Sequence, residues 1–235
     1  DNDGLRQGWM RDVQGVLRNW RLLGLDRLER RATDVRFVAA RDGSARLRLD
    51  AELIGADPSQ RARHRQQVRI EASGVLHVVD TIEIPAAWSD VPRVGVVMRL
   101  PGHFSQLAWL GLGPHETYPD RKASGRFGRF AGTVAEQYVP YVVPQEHGHH
   151  TATRWLSLAT SDGAAVLVAG ARPFGFSASH YRAEDLGAAL HTPDLVARDE
   201  TVLHLDAAHR GLGTASCGPD TLPRYRVKPG THRLS

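Results

Sequence analysis

Apolar and polar residues alternate along most of this chain. In "ARLRLDAEL", Leu47, Leu49, Ala51 and Leu53 share one side and charged residues take the other, and in "VLHVVDTIEI" Leu76, Val78, Ile82 and Ile84 do the same. A period of two is the repeat of a half-buried β-strand. Similar short runs recur as "RVGVVMRL", "QLAWLGL", "EQYVPYVV", "RWLSLAT", "AAVLVAG", "FGFSAS", "TVLHLDA" and a last "THRLS" that reads as a strand just begun. Only near the start does the spacing become helical, with Trp9, Val13, Val16, Trp20 and Leu23 recurring on one face. Gly15 and Gly24 interrupt that run, so one short helix with irregular flanks is expected. A second short helix is expected in "YRAEDLGAAL".

Many short strands separated by Gly, Pro, Asp and Ser predict an all-β sandwich in which each sheet hides one face. No fixed internal period supports a propeller or solenoid. No change of composition divides the chain, and "GADPSQRARHR" reads as a polar hairpin excursion, so a single domain over residues 1–235 is expected. The opening "DNDGLRQGW" and the closing "PRYRVKPGTHRLS" predict a fragment cut at both ends.

Composition narrows the function classes. Hydrophobic residues make up 41% and charged residues 24%, as in ordinary globular proteins, and no apolar run is long enough for a membrane helix. The net charge of +4 and pI near 9.6 invite a nucleic-acid reading, yet the arginines are spread along the whole chain instead of clustered on one element. Runs such as "RLERRATDVR" mix signs and read as solvated faces. Cys217 is the only cysteine, which excludes a disulfide framework and a zinc-thiolate set and fits a reducing cytoplasm.

Candidate chemistry is sparse. No nucleophile elbow, phosphate-binding glycine loop or zinc-protease helix motif occurs. "WLGLGPHETYPDR" ends a strand at Gly113-Pro114 and continues into a polar loop containing Glu116, Tyr118, Pro119, Asp120 and Arg121. Two carboxylates are what glycoside hydrolysis needs. Because Arg121 adjoins Asp120, an Asp–Arg interaction that locks the loop is the better reading. In "PQEHGHHTATR", His147, His149 and His150 suggest metal ligands, but the last two are adjacent and cannot face one ion from regular structure, so an exposed polar turn at Gly148 is expected. His180, His191, His204 and His209 are scattered and read as satisfied histidines. "HRGLGTASCGPD" is a glycine-rich turn whose small residues allow close backbone approach.

Taken together, "DNDGL", "WLGLGPHETYPDR", "YVPYVVPQEHG", "TATRWLSL" and "GLGTASCGPD" stand in the order seen in the C-terminal small-chain domain, domain 5, of β-galactosidases of glycoside hydrolase family two, and the chain resembles that domain from end to end. The resemblance implies a β-supersandwich similar to galactose mutarotase. It also implies partners: a separate (β/α)8 barrel carrying both catalytic glutamates of a retaining mechanism, the other domains of the enzyme, and a galactoside bound by the assembled whole, without nucleic acid or membrane. No cofactor is implied for this chain; magnesium or sodium would belong to the full enzyme. No catalytic residue is implied here either. The family's one aromatic contribution to the sugar site, a tryptophan in a Gly-Ser-Trp-Pro pattern, falls on Gly213, Ser216, Cys217 and Pro219 once a one-residue gap is allowed. Cys217, Ser216 and Gly218 are thus the expected substrate contacts, with a thiol offering a small apolar contact in place of an indole face. The alternatives are a free-standing aldose epimerase, which needs a histidine acid and a glutamate base, and a carbohydrate-binding module, which needs a row of exposed aromatics.

Overall fold

The computed structural model describes residues 16–214 and 220–235. Its elements are α1 (Val16–Leu23), β1 (Glu29–Ala39), β2 (Ala45–Ile54), β3 (Arg61–Ile70), β4 (Leu76–Ile84), β5 (Arg93–Pro101) and β6 (Gln106–Gly113). They continue as β7 (Arg126–Thr133), β8 (His150–Ala159), β9 (Ala165–Ser179), α2 (Ala183–Ala188), β10 (Glu200–His209) and β11 (Gly230–Leu234). The all-β class is therefore that of the molecule. The described chain divides into two compact units, one running to Val94 and adding Arg226–Ser235, the other Gly95–Tyr225.

The first unit holds an antiparallel sheet of order β1-β2-β3-β4-β11. Its hairpins close on residues suited to tight turns: between β1 and β2, Asp42 accepts the Ser44 N–H at 2.9 Å while Gly43 takes a positive φ of 81°. Ala51 pairs with His64 and His64 with Ile82, so these three share a face. Asp80 lies on that face too and is buried, interrupting the apolar series of β4. It survives there because His64 Nε2 sits 2.7 Å from one carboxylate oxygen and Gln66 donates to the same oxygen at 3.1 Å. Arg30 donates to His64 Nδ1 at 3.2 Å, which leaves the ring proton on Nε2 facing Asp80.

The second unit holds an antiparallel sheet of order β5-β10-β9-β8-β6-β7. Here the alternation is sharp. Leu107 and Trp109 of β6 are buried and pair with Leu158 and Leu156 of β8, and Phe174, Phe176, Leu203 and Leu205 are among the buried apolar residues beside them. Two runs expected as separate strands, "AAVLVAG" and "FGFSAS", join into the single fifteen-residue β9. Pro173 is tolerated there because β10 pairs only with Gly175–Ser179, so no second ladder needs its missing N–H.

One expected strand is corrected. "EQYVPYVV" forms a 3-10 turn at Ala135–Gln137 followed by irregular chain. Side chains outcompete a ladder: Glu136 accepts the Thr133 N–H at 2.6 Å, Thr133 Oγ1 accepts the Glu136 N–H at 3.2 Å, and Pro140 has no N–H to give. The expected helix is observed as α1 at Val16–Leu23, and its earlier part, Trp9 to Gly15, lies outside the described residues.

Candidate functional site

The loop after β6 is built around a four-residue reversal. Pro119 presets φ at the second position, and Tyr118 and Arg121 close the turn by exchanging backbone hydrogen bonds at 3.1 and 3.0 Å. Gly113-Pro114 is a cis peptide. Tyr118 is fully buried, with its ring stacked on His149 at 5.3 Å and its edge toward His209 at 5.3 Å. Burial pushes its phenol well above the ordinary range, with the Glu146 and Glu116 carboxylates adding to the effect. The group is therefore a fixed O–H donor at any working pH.

The two loop carboxylates are committed to structure. Glu116 accepts the Tyr141 O–H on one oxygen and, on the other, the Gly148 N–H at 2.8 Å and the Tyr118 O–H at 3.4 Å. The Tyr141 phenol is pushed up by burial and by that bond. Asp120 accepts the N–H of Leu212 at 3.1 Å and of Gly213 at 2.8 Å. Arg121 stands exposed, and among the described residues it forms no ion pair with Asp120. The carboxylate is thus the foot on which the glycine-rich turn stands. Gly211 has to be glycine for this approach, since a Cβ there would meet the Asp120 carboxyl carbon at 2.6 Å.

A second clamp ties Arg210 and Gly211 to Asp220 and Thr221. Arg210, buried, donates from one guanidinium nitrogen to both oxygens of Asp220 at 2.9 Å, and from the other to Thr221 Oγ1 at 2.8 Å. Thr221 Oγ1 in turn donates to the Gly211 carbonyl at 2.8 Å. Charged hydrogen bonds of this kind are the strong ones in proteins. Cys217, Ser216 and Gly218, the expected substrate contacts, lie outside the described residues.

The histidine cluster is not the exposed turn expected from its sequence. His147, His149 and His150 are all buried. A turn at Gly148, with φ 69°, brings the segment under the loop, where Thr117 donates its N–H to the His149 carbonyl at 2.6 Å and His149 Nδ1 donates back to the Thr117 carbonyl at 3.0 Å. Gly175 makes room for that ring, because a Cβ there would meet His149 Nε2 at 2.4 Å. His149 Nε2 lies 3.4 Å from the buried Asp206 carboxylate, and its ring centroid is 4.5 Å from that of His209. His147 Nδ1 turns elsewhere and donates to the Gln145 carbonyl at 2.9 Å. His150 faces Gln137 Oε1 with Nε2 at 3.0 Å and packs on Trp109 at 4.4 Å. The three rings point to three places, and among the described residues no three His, Cys, Asp or Glu side chains converge to hold a metal ion.

Sequence reasoning missed the two clamps. Asp120 and Arg210 were each visible as charged residues, but the partners of Asp120 lie 92 and 93 residues away, beyond what local spacing reveals. The only available signal was the concentration of glycines after Arg210, which marks a backbone that something approaches closely. Chemically, the assembly offers a rigid support: its carboxylates already carry two or more hydrogen bonds each, and its buried phenol stays protonated.

The family described as the beta galactosidase small chain matches residues 1–235, and the chain belongs to that family. It is 35% identical over 223 residues to the beta-galactosidase of Arthrobacter sp., covering 92% of this chain and 21% of that relative. To the beta-galactosidase of Vibrio cholerae serotype O1 it is 35% identical over 215 residues, covering 91% of this chain and 20% of the relative. A yeast relative, from Kluyveromyces lactis, is 38% identical over 140 residues, 59% of this chain and 13% of its own length. The chain thus spans about a fifth of the length of the first two. Among the described residues no helix is long and apolar enough to cross a membrane.

Proposed function

We propose that this chain is the C-terminal, non-catalytic domain of a β-galactosidase, and that it works as one domain over residues 1–235 to support the rim of the substrate pocket and the assembly of the enzyme. The whole enzyme hydrolyses terminal β-D-galactosides such as lactose with retention. Its acid/base and nucleophile carboxylates, which need to stand about 5–5.5 Å apart, reside in a separate barrel domain. The observation that carries the reading is the end-to-end family match joined to the commitment of Glu116 and Asp120 to backbone and tyrosine donors. Those carboxylates are held as acceptors, which suits a scaffold. Asp120 holds Leu212 and Gly213 while Arg210 holds Asp220 and Thr221, the two ends of the stretch whose sequence includes Ser216, Cys217 and Gly218, the proposed galactoside contacts. A cytoplasmic location agrees with the lone cysteine.

The purified chain should show no galactosidase activity, because positioning and both reacting carboxyl groups are supplied elsewhere. Hydrolysis of a chromogenic galactoside above the uncatalysed rate, abolished by a substitution in this chain, would overturn the reading. Polarimetry on fresh α-galactose separates it from the epimerase alternative: mutarotation that accelerates in proportion to the protein would favour that alternative.

Within the full-length enzyme, Cys217→Trp should tighten binding of a galactoside inhibitor roughly two- to ten-fold, the ratio equivalent to about 0.5–1.5 kcal/mol of ring stacking. Inhibitor affinity unchanged in both Cys217→Trp and Cys217→Ala would remove Cys217 from the sugar site.

A further inference from the structure

The two faces of the first unit's sheet differ in kind. On one face, exposed arginines are matched by acids: Arg48 and Arg65 both reach Asp50, at 2.8 and 2.6 Å, Arg61 reaches Glu52 at 2.9 Å, and Arg69 reaches Glu71 at 2.6 Å. Such a face is finished for water. The register puts different residues on the other side. Val35 pairs with Leu49, and Phe37 with Leu47, which pairs with Val68, which pairs with Val78. Beyond them Ala39, Ala45, Ile70 and Leu76 form the next row.

These rows extend the same face on which Ala51, Ala62 and Ile84 are buried, yet they run out into solvent: Phe37 is 63% exposed, Val35 58% and Leu76 57%. Chains that remain alone rarely leave a contiguous apolar patch of more than a few hundred Å² uncovered, and larger ones mark association surfaces. Edge strands are ordinarily blunted with charged side chains. Past the irregularity at Ala32/Asp34, β1 carries its charges, Asp34 and Arg36, on the far side alone, and Arg30 before it is engaged with His64.

We infer that this apolar shelf, centred on Phe37 and Val35, is where another domain of the same β-galactosidase polypeptide packs. The inference rests on the functional reading above. The occupant follows from length: about four fifths of the Arthrobacter and Vibrio cholerae relatives lies outside the stretch they share with this chain. A domain tethered in the same polypeptide is present at an effective concentration on the order of millimolar, which a second, free copy does not reach. An uncharged shelf selects an apolar partner surface, because burying an unpaired charge against it would be costly.

The test uses cysteine footprinting on the full-length enzyme in a Cys217→Ala background, with maleimide labelling read at each position by peptide mass spectrometry. Phe37→Cys and Val35→Cys report on the shelf. Val38→Cys is the control, since Val38 is 64% exposed on the opposite face of the same strand. Under native conditions labelling at positions 35 and 37 should be at least tenfold slower than at 38, with all three equal in urea, and the protection should persist on dilution to the monomer.

Equal native rates would overturn the inference. Protection lost on dilution would overturn it too, in favour of a second copy as the occupant. Galactoside hydrolysis by the unsubstituted full-length enzyme, with Cys217 intact, tests the functional reading separately. An active unsubstituted enzyme with rapid labelling at 35 and 37 in the cysteine variants defeats the shelf alone, whereas an inactive unsubstituted enzyme with protected positions in the variants defeats the galactosidase reading and leaves the packing surface standing.

Discussion

Asp120→Ala should destabilise the isolated chain by about 2–3 kcal/mol, the range for removing charged acceptors from two backbone donors. In a chain of this size that corresponds to a fall in melting temperature of roughly 5–10 °C. The reason is that the Leu212 and Gly213 N–H groups both end on this carboxylate, and its removal leaves two backbone donors without that acceptor. Asp120→Asn keeps one acceptor oxygen and should lose about half as much. Gly211→Ala should cost a similar amount by the opposite route, since the added methyl would press on the Asp120 carboxyl group at 2.6–2.8 Å and push foot and turn apart.

Two controls make the result specific. Arg121→Ala should change the melting temperature by no more than about one or two degrees, because its side chain is exposed. Asp42→Ala, in an exposed hairpin turn with a local Ser44 bond of 2.9 Å, should also remain small. If Asp120→Ala melts with the parent, the foot carries no weight. If Arg121→Ala falls as far as Asp120→Ala, the loop is held by a charge pair after all.

The strands read most directly from the sequence are β2, β5 and β6, whose inward residues are all apolar. β4, β8 and β10 are legible as well, although Asp80, Thr153 and Thr201 are buried among their residues, because the remaining apolar positions carry the pattern. β1 and β3 were illegible for a physical reason. "RARHRQQVRI" alternates as strictly as any strand, but arginines take its outer positions and His64 and Gln66 its inner ones, so a scan for hydrophobicity passes over it. β7, "RFGRFAGT", is diluted by glycines at Gly128 and Gly132.

Buried polar residues defeated the reading for a related reason. Burial of Asp80, His149 and His150 depends on partners brought from other strands, and nothing in the local sequence announces that His64 will meet Asp80 or that Gln137 will meet His150. The loop motif was recognisable as a whole. Which atoms its carboxylates hold was not.

His150 should make the chain sensitive to acid. Burial, aided by the nearby His149, lowers its ring from the ordinary histidine value of 6.5 to about 3. A neutral imidazole donates through one nitrogen only. Its Nε2 faces Gln137 Oε1 at 3.0 Å and its Nδ1 faces the Leu112 carbonyl at 3.3 Å, so the single ring proton serves one of these two acceptors, and Trp109 and Phe176 enclose the rest of the ring. Between these two pKa values the unfolded chain binds a proton that the folded chain refuses, so stability is full above about pH 6.5 and declines as the pH falls toward 3, below which the penalty saturates. The loss amounts to about 2 kcal/mol at pH 5 and about 4 kcal/mol near pH 3, at 1.36 kcal/mol per unit of separation. Carboxylates titrate over the same range, so the difference between two proteins isolates the histidine. His150→Phe retains the ring contacts and should lose about 1 kcal/mol at pH 7.5, where the ring's one hydrogen bond is given up. By pH 5 the variant should equal or exceed the parent in urea midpoint, followed through tryptophan fluorescence. Parallel pH profiles for parent and variant would show that His150 charges in the folded state at little cost, and the enclosed neutral ring would be wrong.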